Sequence, residues 1–154
     1  MYKQKYYFEI LKYIRLYGGI KMEEVMKILT EGNIGYLATV EDGKPRVRPF
    51  GFGFEEDGKY FFCTNNTKDV YTQLKNIPYA EYSVTSKNMI TVRIRGKIEF
   101  TNDISKKEKT IAASSLVRSI YKTADNPIFE IFYIEPEEII ISTLDGQPPK
   151  FYKF

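Results

Sequence analysis

Hydrophobic and polar positions alternate along much of this chain, and this pattern predicts an antiparallel β protein. The clearest case is the segment 89–101, in which isoleucine, valine and phenylalanine alternate with arginine, lysine and glutamate. Two Asp-Gly pairs, at 42–43 and 57–58, are typical hairpin turns and join the first three predicted strands into a meander. Six or seven strands favour a small barrel, because closure removes exposed edges. They are predicted at 34–40, 46–54, 59–64, 79–85, 89–101, 128–134 and 138–143, the last two separated by Pro136.

Helical periodicity interrupts these strands at four places. The first helix ends before Gly32-Asn33, and Asp103 or Ser105 can cap the third. The fold class expected from the pattern is therefore mainly β with flanking helices. The four helices are predicted at 22–29, 67–76, 106–114 and 116–122.

Residues 1–21 form a basic extension before this domain. They hold five Lys and Arg residues against one Glu, whereas residues 22–154 hold 18 against 19. The net charge of +3 therefore comes from the extension, and no basic stripe remains to predict nucleic-acid binding. Apolar residues at helical spacing predict an amphipathic helix that ends at Gly18-Gly19. The alternative is that Met22 is the native start, because the codons before it can contain a ribosome-binding sequence.

The composition excludes several kinds of chemistry. The 154 residues include no histidine, which excludes Ser-His-Asp and Cys-His catalytic sites and imidazole-ligated metals or haem. Cys63 is the single cysteine, so there is no internal disulfide or thiolate cluster, and its mid-strand position predicts an inert buried thiol. No segment approaches the roughly 18 uncharged apolar residues of a membrane span, and no signal-peptide pattern is present. We therefore expect residues 22–154 to form a cytoplasmic domain that binds neither nucleic acid nor membrane.

The predicted strand 46–54 has an unusual distribution of side chains. Arg46, Arg48 and three phenylalanines share one face, whereas Val47, Pro49, Gly51 and Gly53 share the other. Glycines at alternate strand positions mark either a bulge or the close approach of a ligand. One interpretation is a flat ligand against the glycine backbone, with an arginine holding an anionic group. The other is a bulged barrel strand with a solvated arginine.

The segment 64–69, Thr-Asn-Asn-Thr-Lys-Asp, lies where a predicted strand passes into a helix. Free backbone N–H groups and the helix dipole favour a phosphate at such a position, and Thr67 and Lys68 add a hydroxyl donor and a cation. The alternative is a capping box, with Asn66 as N-cap and Asp69 three residues later.

Two peripheral features leave alternatives open. Arg93, Arg95 and Lys97 share one strand face, which is typical of a solvated surface, although Gly96 can admit a close neighbour. Residues 148–154 form either an arm that packs on a partner subunit or a frayed tail.

The order and spacing of these segments closely resemble a known family. Residues 43–51 (Gly-Lys-Pro-Arg-Val-Arg-Pro-Phe-Gly), residues 64–68 and a helix containing Gln73-Leu74 resemble the pyridoxamine 5′-phosphate oxidase-like, FMN-binding split-barrel family. The resemblance covers about residues 22–144 and is nearest to the nitroimidazole-reductase-type and general-stress-protein branches. It implies a six- to seven-stranded antiparallel split β-barrel.

The same resemblance implies a homodimer with FMN bound at the subunit interface. Thr91 stands where the family has a glutamine that contacts the flavin. Pro49, Phe50, Gly51, Thr64 and Asn65 would border the isoalloxazine and ribityl groups. The implied phosphate-binding residues are Arg48, Thr67 and Lys68.

Three departures from the family pattern affect this interpretation. Asp69 and Gly53 occupy positions that are lysine in the oxidases, and Thr91 replaces the glutamine. The C-terminal signature that binds pyridoxal phosphate is also missing, so oxidation of vitamin B6 is not expected.

We therefore expect an FMN-binding flavoprotein, a flavin-dependent oxidoreductase of the reductase type that acts on a small molecule. NAD(P)H is the candidate electron donor, and no catalytic residue is assigned because the flavin itself carries the redox chemistry. One alternative is a non-catalytic or stress-response binding module with a degraded or F420-type cofactor site. Another is a non-enzymatic dimeric scaffold.

Overall fold

A computed structural model describes residues 22–32 and 34–154, so the helix predicted within residues 1–21 lies outside the described residues. The helices are α1 (Met22–Glu31), α2 (Asp69–Asn76), α3 (Ile104–Ala113) and α4 (Ser115–Tyr121). The strands are β1 (Gly35–Glu41), β2 (Lys44–Phe50), β3 (Phe54–Glu56), β4 (Lys59–Asn65), β5 (Tyr79–Thr85), β6 (Ile90–Thr101), β7 (Phe129–Thr143) and β8 (Lys150–Lys153). The expectation of a mainly β fold with flanking helices is confirmed. No helix in the described part of the chain is long and apolar enough to cross a membrane.

The strands form one antiparallel sheet of eight strands, rather than the six or seven predicted. Its order is β2-β1-β5-β6-β7-β4-β3, and β8 pairs with β7 beside this path. The sheet is not closed, because its terminal strands β2 and β3 are not hydrogen-bonded to each other.

The predicted meander of the first three strands is wrong. β2 pairs with β1, whereas β4 pairs with β3 and β7, so β2 and β3 lie at opposite ends of the sheet. The predicted continuous strand 46–54 is interrupted at residues 51–53, two of which are glycine. Glycine weakens a strand, and here the chain leaves one edge of the sheet and joins the other. Both Asp-Gly turns are confirmed, with positive φ at each aspartate and glycine.

β7 is one continuous strand, although Pro136 was expected to divide it. The register between β6 and β7 shifts between Arg95 and Gly96, where Gly96 faces Pro136. A side chain at position 96 would overlap the carbonyl oxygen of Glu135. This β-bulge accommodates the proline that cannot donate a ladder hydrogen bond.

The start of α2 differs from the predicted capping box. α2 begins at Asp69 with Lys68 as N-cap, and no side chain caps it. Asn66 does not cap the helix because its amide donates to the carbonyl of Pro127 and to Glu130. Of the two N-caps predicted for the third helix, Asp103 and Ser105, the structure has Asp103, whose carboxylate accepts from the backbone N–H of Ser105.

The C-terminal residues do not form the frayed tail that was one of the two alternatives, and packing on a partner subunit stays a prediction. Lys150–Lys153 is strand β8, which pairs with β7 of the same chain.

Two apolar clusters lie on opposite faces of the sheet, and β4 contributes to both. Tyr60 and Phe62 belong to the larger cluster, whereas Phe61 belongs to the smaller one beneath α3 and α4. In the larger cluster the ring of Phe62 stacks on Phe132 at 5.5 Å between centroids. Because β4 is buried on both sides, it holds the loop that follows it, and α2 beyond that loop packs on β1 and β4.

Candidate functional site

The residues after β2 and the loop after β4 open onto one cleft of about 320 Å³. Segment 49–54 lines this cleft together with Cys63, Lys68 and one side of the α3–α4 helices. Pro49, Phe50, Gly51 and Lys68 are the predicted site residues that line it. Arg48, Thr64, Asn65, Thr67 and Thr91 are not among its lining residues.

The two glycines of the predicted ligand-binding strand have different surroundings. At Gly51 a Cβ atom would meet nothing within 4 Å, so its backbone faces open space. At Gly53 a Cβ atom would lie 2.8 Å from the carbonyl oxygen of Phe61, which accepts the Gly53 backbone N–H at 3.0 Å. Packing therefore explains Gly53 and argues against a lysine at that position, whereas Gly51 leaves room for a flat ligand.

The loop between β4 and α2 leaves the start of the helix without a side-chain cap. The Asn65 side-chain oxygen accepts from the Thr67 backbone N–H at 3.0 Å and from its hydroxyl at 2.7 Å. No side-chain oxygen caps α2 at its N-cap residue, Lys68. Helix N-termini with free N–H groups attract anions, and the ammonium group of Lys68 adds a positive charge.

Thr64, near the C-terminal end of β4, has an unusual polar atom in its side chain. Its side chain is 2% exposed, and its Oγ1 atom has no hydrogen-bond partner among the described residues. A buried hydroxyl without a partner costs free energy, so such atoms are rare and call for a ligand or another partner.

Arg48 lies between β1 and α2, with its guanidinium bonded to the protein. Its Nη1 atom donates to the Oγ1 of Thr39 at 2.7 Å, and its Nη2 atom donates to the Oε1 of Gln73 at 2.6 Å. Burial lowers the pKa of Arg48, and the nearby carboxylates of Glu41 and Asp69 partly offset this effect. The arginine is therefore a held, half-buried cation rather than the solvated one considered as an alternative.

Thr91 lies away from this group of residues. Its hydroxyl hydrogen-bonds to that of Thr85 at 2.8 Å, and it pairs with Ser142 across the β6–β7 ladder. Its role in cofactor binding stays a prediction.

Cys63 lines the cleft as a weakly acidic thiol. Burial raises its pKa to about 11, and the positive charge of Lys68 opposes this only in part. A thiol with this pKa is protonated near neutral pH, which agrees with the interpretation of an inert residue.

Thr39 and Gln73 are site residues whose role the sequence did not reveal. Both are polar and buried, at 2% and 4% exposure. The available signal was a polar residue on an apolar face: Gln73 lies between Val70 and Leu74 on the buried side of α2. Such a residue needs a buried partner.

The described residues contain no group of three or more His, Cys, Asp or Glu residues that could hold a metal ion. Their arrangement fits another kind of ligand. An apolar cleft with an open backbone adjoins a cationic, uncapped helix start, and this combination suits a flat, anionic organic ligand.

The chain belongs to the pyridoxamine 5′-phosphate oxidase family, whose model matches residues 22–142. General stress protein 26 of Bacillus subtilis (strain 168) is 28% identical over 131 residues, which cover 82% of this chain and 91% of that protein. The crystal structure of a NimC/NimA family protein from Clostridium acetobutylicum superposes with a TM-score of 0.77 at 30% identity. That match covers 86% of this chain and 93% of the other.

Two more distant structures share the fold. One is a pyridoxamine 5′-phosphate oxidase-related, FMN binding protein from Nostoc punctiforme, with a TM-score of 0.60, 18% identity and coverage of 84% and 86% of the two chains. The other is a heme binding protein from Mycobacterium smegmatis, with a TM-score of 0.71 and 17% identity, covering 85% of this chain and 57% of that one. The family and the split-barrel fold expected from the sequence are confirmed.

Proposed function

We propose that this protein binds FMN and is a flavin-dependent oxidoreductase of the reductase type. The observation that carries the proposal is the uncapped start of α2, where Lys68 lines an apolar cleft beside the open backbone of Gly51. FMN combines a phosphate, which the helix start and the lysine suit, with a flat ring, which the cleft suits.

Each part of the proposed site has a stated task. Lys68, Thr67, the first N–H groups of α2 and Arg48 hold the phosphate. In this proposal segments 49–51 and 64–65 border the ring and the ribityl chain. Bound FMN would supply the electron transfer, while the protein supplies position, burial and charge.

We further propose a homodimer in which the partner subunit covers the FMN site. The outward faces of β1 and β2 expose Tyr36 and Val47, at 53% and 65% of their surface. Tyr36 pairs with Pro49 across the ladder, so this apolar face continues into the segment that lines the cleft. Exposed apolar patches of this kind are typical of protein interfaces.

The first test is the visible spectrum of the purified protein. We expect a flavin spectrum and release of FMN on denaturation, or quenching of FMN fluorescence when FMN is added to cofactor-free protein. A colourless protein that does not quench FMN fluorescence would contradict the proposal. Reduction of the bound flavin by NADH or NADPH, followed by oxidant screening with small molecules, then separates an enzyme from a carrier.

A second candidate function is a non-catalytic or stress-response binding module with a degraded or F420-type site. Asp69 favours it, because this carboxylate lies in the first turn of α2 and acts electrostatically on Arg48. A negative charge there opposes phosphate binding. Haem is a weaker candidate, since the sequence offers no imidazole ligand.

A further inference from the structure

A buried polar network holds the guanidinium of Arg48 on the inner side of β1. Thr39 Oγ1 accepts from Arg48 at 2.7 Å and itself donates to Gln73 Oε1 at 2.7 Å. Gln73 Oε1 also accepts directly from Arg48 at 2.6 Å. The three side chains therefore form a closed triangle of hydrogen bonds, two of them to a charged group.

The orientation of the Gln73 amide is fixed by a fourth residue. Its Nε2 atom donates to the carboxylate of Glu41 at 3.2 Å, so its carbonyl oxygen must face the guanidinium. The reverse orientation would set an amide donor against Arg48 and a carbonyl against Glu41, with both contacts repulsive. The amide group therefore links Arg48 to Glu41, whose other carboxylate oxygen accepts from Arg46 Nε at 3.0 Å.

Gln73 also connects Arg48 to helix α2 through a hydrogen bond. Asp69 opens the helix, and Gln73 follows it by four residues, so the two side chains lie on one face about one turn apart. The guanidinium of Arg48 contacts this helix through Gln73. No described residue accepts a hydrogen bond from the Nε atom of Arg48, so part of its donor set is open to a ligand.

We propose that Gln73, together with Thr39, is a positioning residue that gives the site its preference for FMN over riboflavin. It holds the Arg48 guanidinium against α2, the helix at whose start the phosphate is proposed to bind. This inference rests on the proposed FMN function. Riboflavin lacks the phosphate, so its affinity reports the ring site alone.

The test measures dissociation constants for FMN and for riboflavin in cofactor-free protein, by quenching of flavin fluorescence. Gln73→Met keeps a similar volume and removes the three hydrogen bonds of the amide, to Thr39, Arg48 and Glu41. We expect it to weaken FMN binding about tenfold while riboflavin binding stays unchanged. Thr72→Met, an exposed neighbour on the same helix, is the matched control and should change neither constant.

A second pair of variants tests the same positioning role if Gln73→Met does not fold. Thr39→Val removes the hydroxyl at nearly constant shape and should lower the FMN-to-riboflavin affinity ratio, whereas Thr39→Ser should retain the wild-type ratio. Folded variants that keep this ratio, or lose affinity for both flavins equally, would overturn the positioning role alone. Wild-type protein that binds no FMN would overturn the proposed function, and this inference with it.

Discussion

At the scale of single residues, the candidate site contains two cations, Lys68 and Arg48, whose surroundings the structure describes. Lys68 is the N-cap of α2 and lines the apolar cleft, a position where its positive charge adds to the anion preference of the helix start. Arg48 is already bonded to Thr39 and Gln73, so it offers a ligand only part of its guanidinium.

Replacing Lys68 tests whether this cation binds the phosphate. Lys68→Ala should weaken FMN binding roughly tenfold or more, because it removes a charge-assisted contact worth about 1.5–3 kcal/mol. Fluorescence titration measures the change. Lys75→Ala, at the opposite end of the same helix, serves as the control and should bind FMN like the wild type. Equal affinity in folded Lys68→Ala would remove this residue from the site.

The Cys63 thiol makes the stability of the fold depend on pH in alkaline solution. Its pKa rises from 9.0 to about 11 on folding, so above pH 9 the unfolded chain loses this proton first and stability falls as the pH rises. The expected loss between pH 8 and pH 10 is about 1 kcal/mol. Urea unfolding of the wild type and of Cys63→Ala should show a smaller decrease in the variant. Identical pH dependence in both proteins would contradict the assigned shift.

At the scale of elements, alternation and turn residues predicted most of the strands, because these signals are local. Pairing is not local, so the sequence did not show that β4 pairs with β7 instead of β2. The continuity of β7 was also missed, because it depends on Gly96 of another strand facing Pro136. The candidate site was predicted in part, at Pro49, Phe50, Gly51 and Lys68, because these cleft-lining residues lie in contiguous motifs. Its second half, Thr39 and Gln73, required the packing of α2 on β1.

The two glycines between β2 and β3 provide a matched pair of substitutions. Gly53→Ala should destabilise the fold by about 1–3 kcal/mol, because its Cβ would press on the Phe61 carbonyl. Gly51→Ala meets no neighbour, so its stability should stay within about 0.5 kcal/mol of the wild type while FMN binding weakens. Urea unfolding and FMN titration measure the two effects separately. Unchanged FMN affinity in Gly51→Ala would show that no ring lies against this backbone.

At the scale of the whole molecule, an open sheet with an apolar outer face on β1 and β2 suits the proposed dimer. These strands carry Tyr36 and Val47 outward, beside the segment that lines the cleft. A partner that covers this face would also limit the access of water to the cofactor, which ties assembly to function.

A charge on this face should separate the subunits. Val47→Lys is expected to convert the dimer to monomer and to weaken FMN binding, because it would bury an unpaired ammonium group in the interface. Light scattering coupled to size-exclusion chromatography measures the mass. Leu144→Lys, on another exposed part of the surface, is the control and should remain dimeric. A wild-type protein that is monomeric at all concentrations would contradict the proposed assembly.

The strands β2 and β3, which end the main strand order, are consecutive in the sequence, and this sets a limit on the site. β2 ends at Phe50 and β3 begins at Phe54, so residues 51–53 alone connect strands that lie at opposite ends of the hydrogen-bonded order. A fully extended chain advances about 3.3–3.6 Å per residue, so these ends cannot separate by more than about 14 Å. The opening between β2 and β3 is thus held by residues 51–53, which also line the cleft. Widening of the cleft for a larger ligand would therefore have to come from α3 and α4, which line its other side.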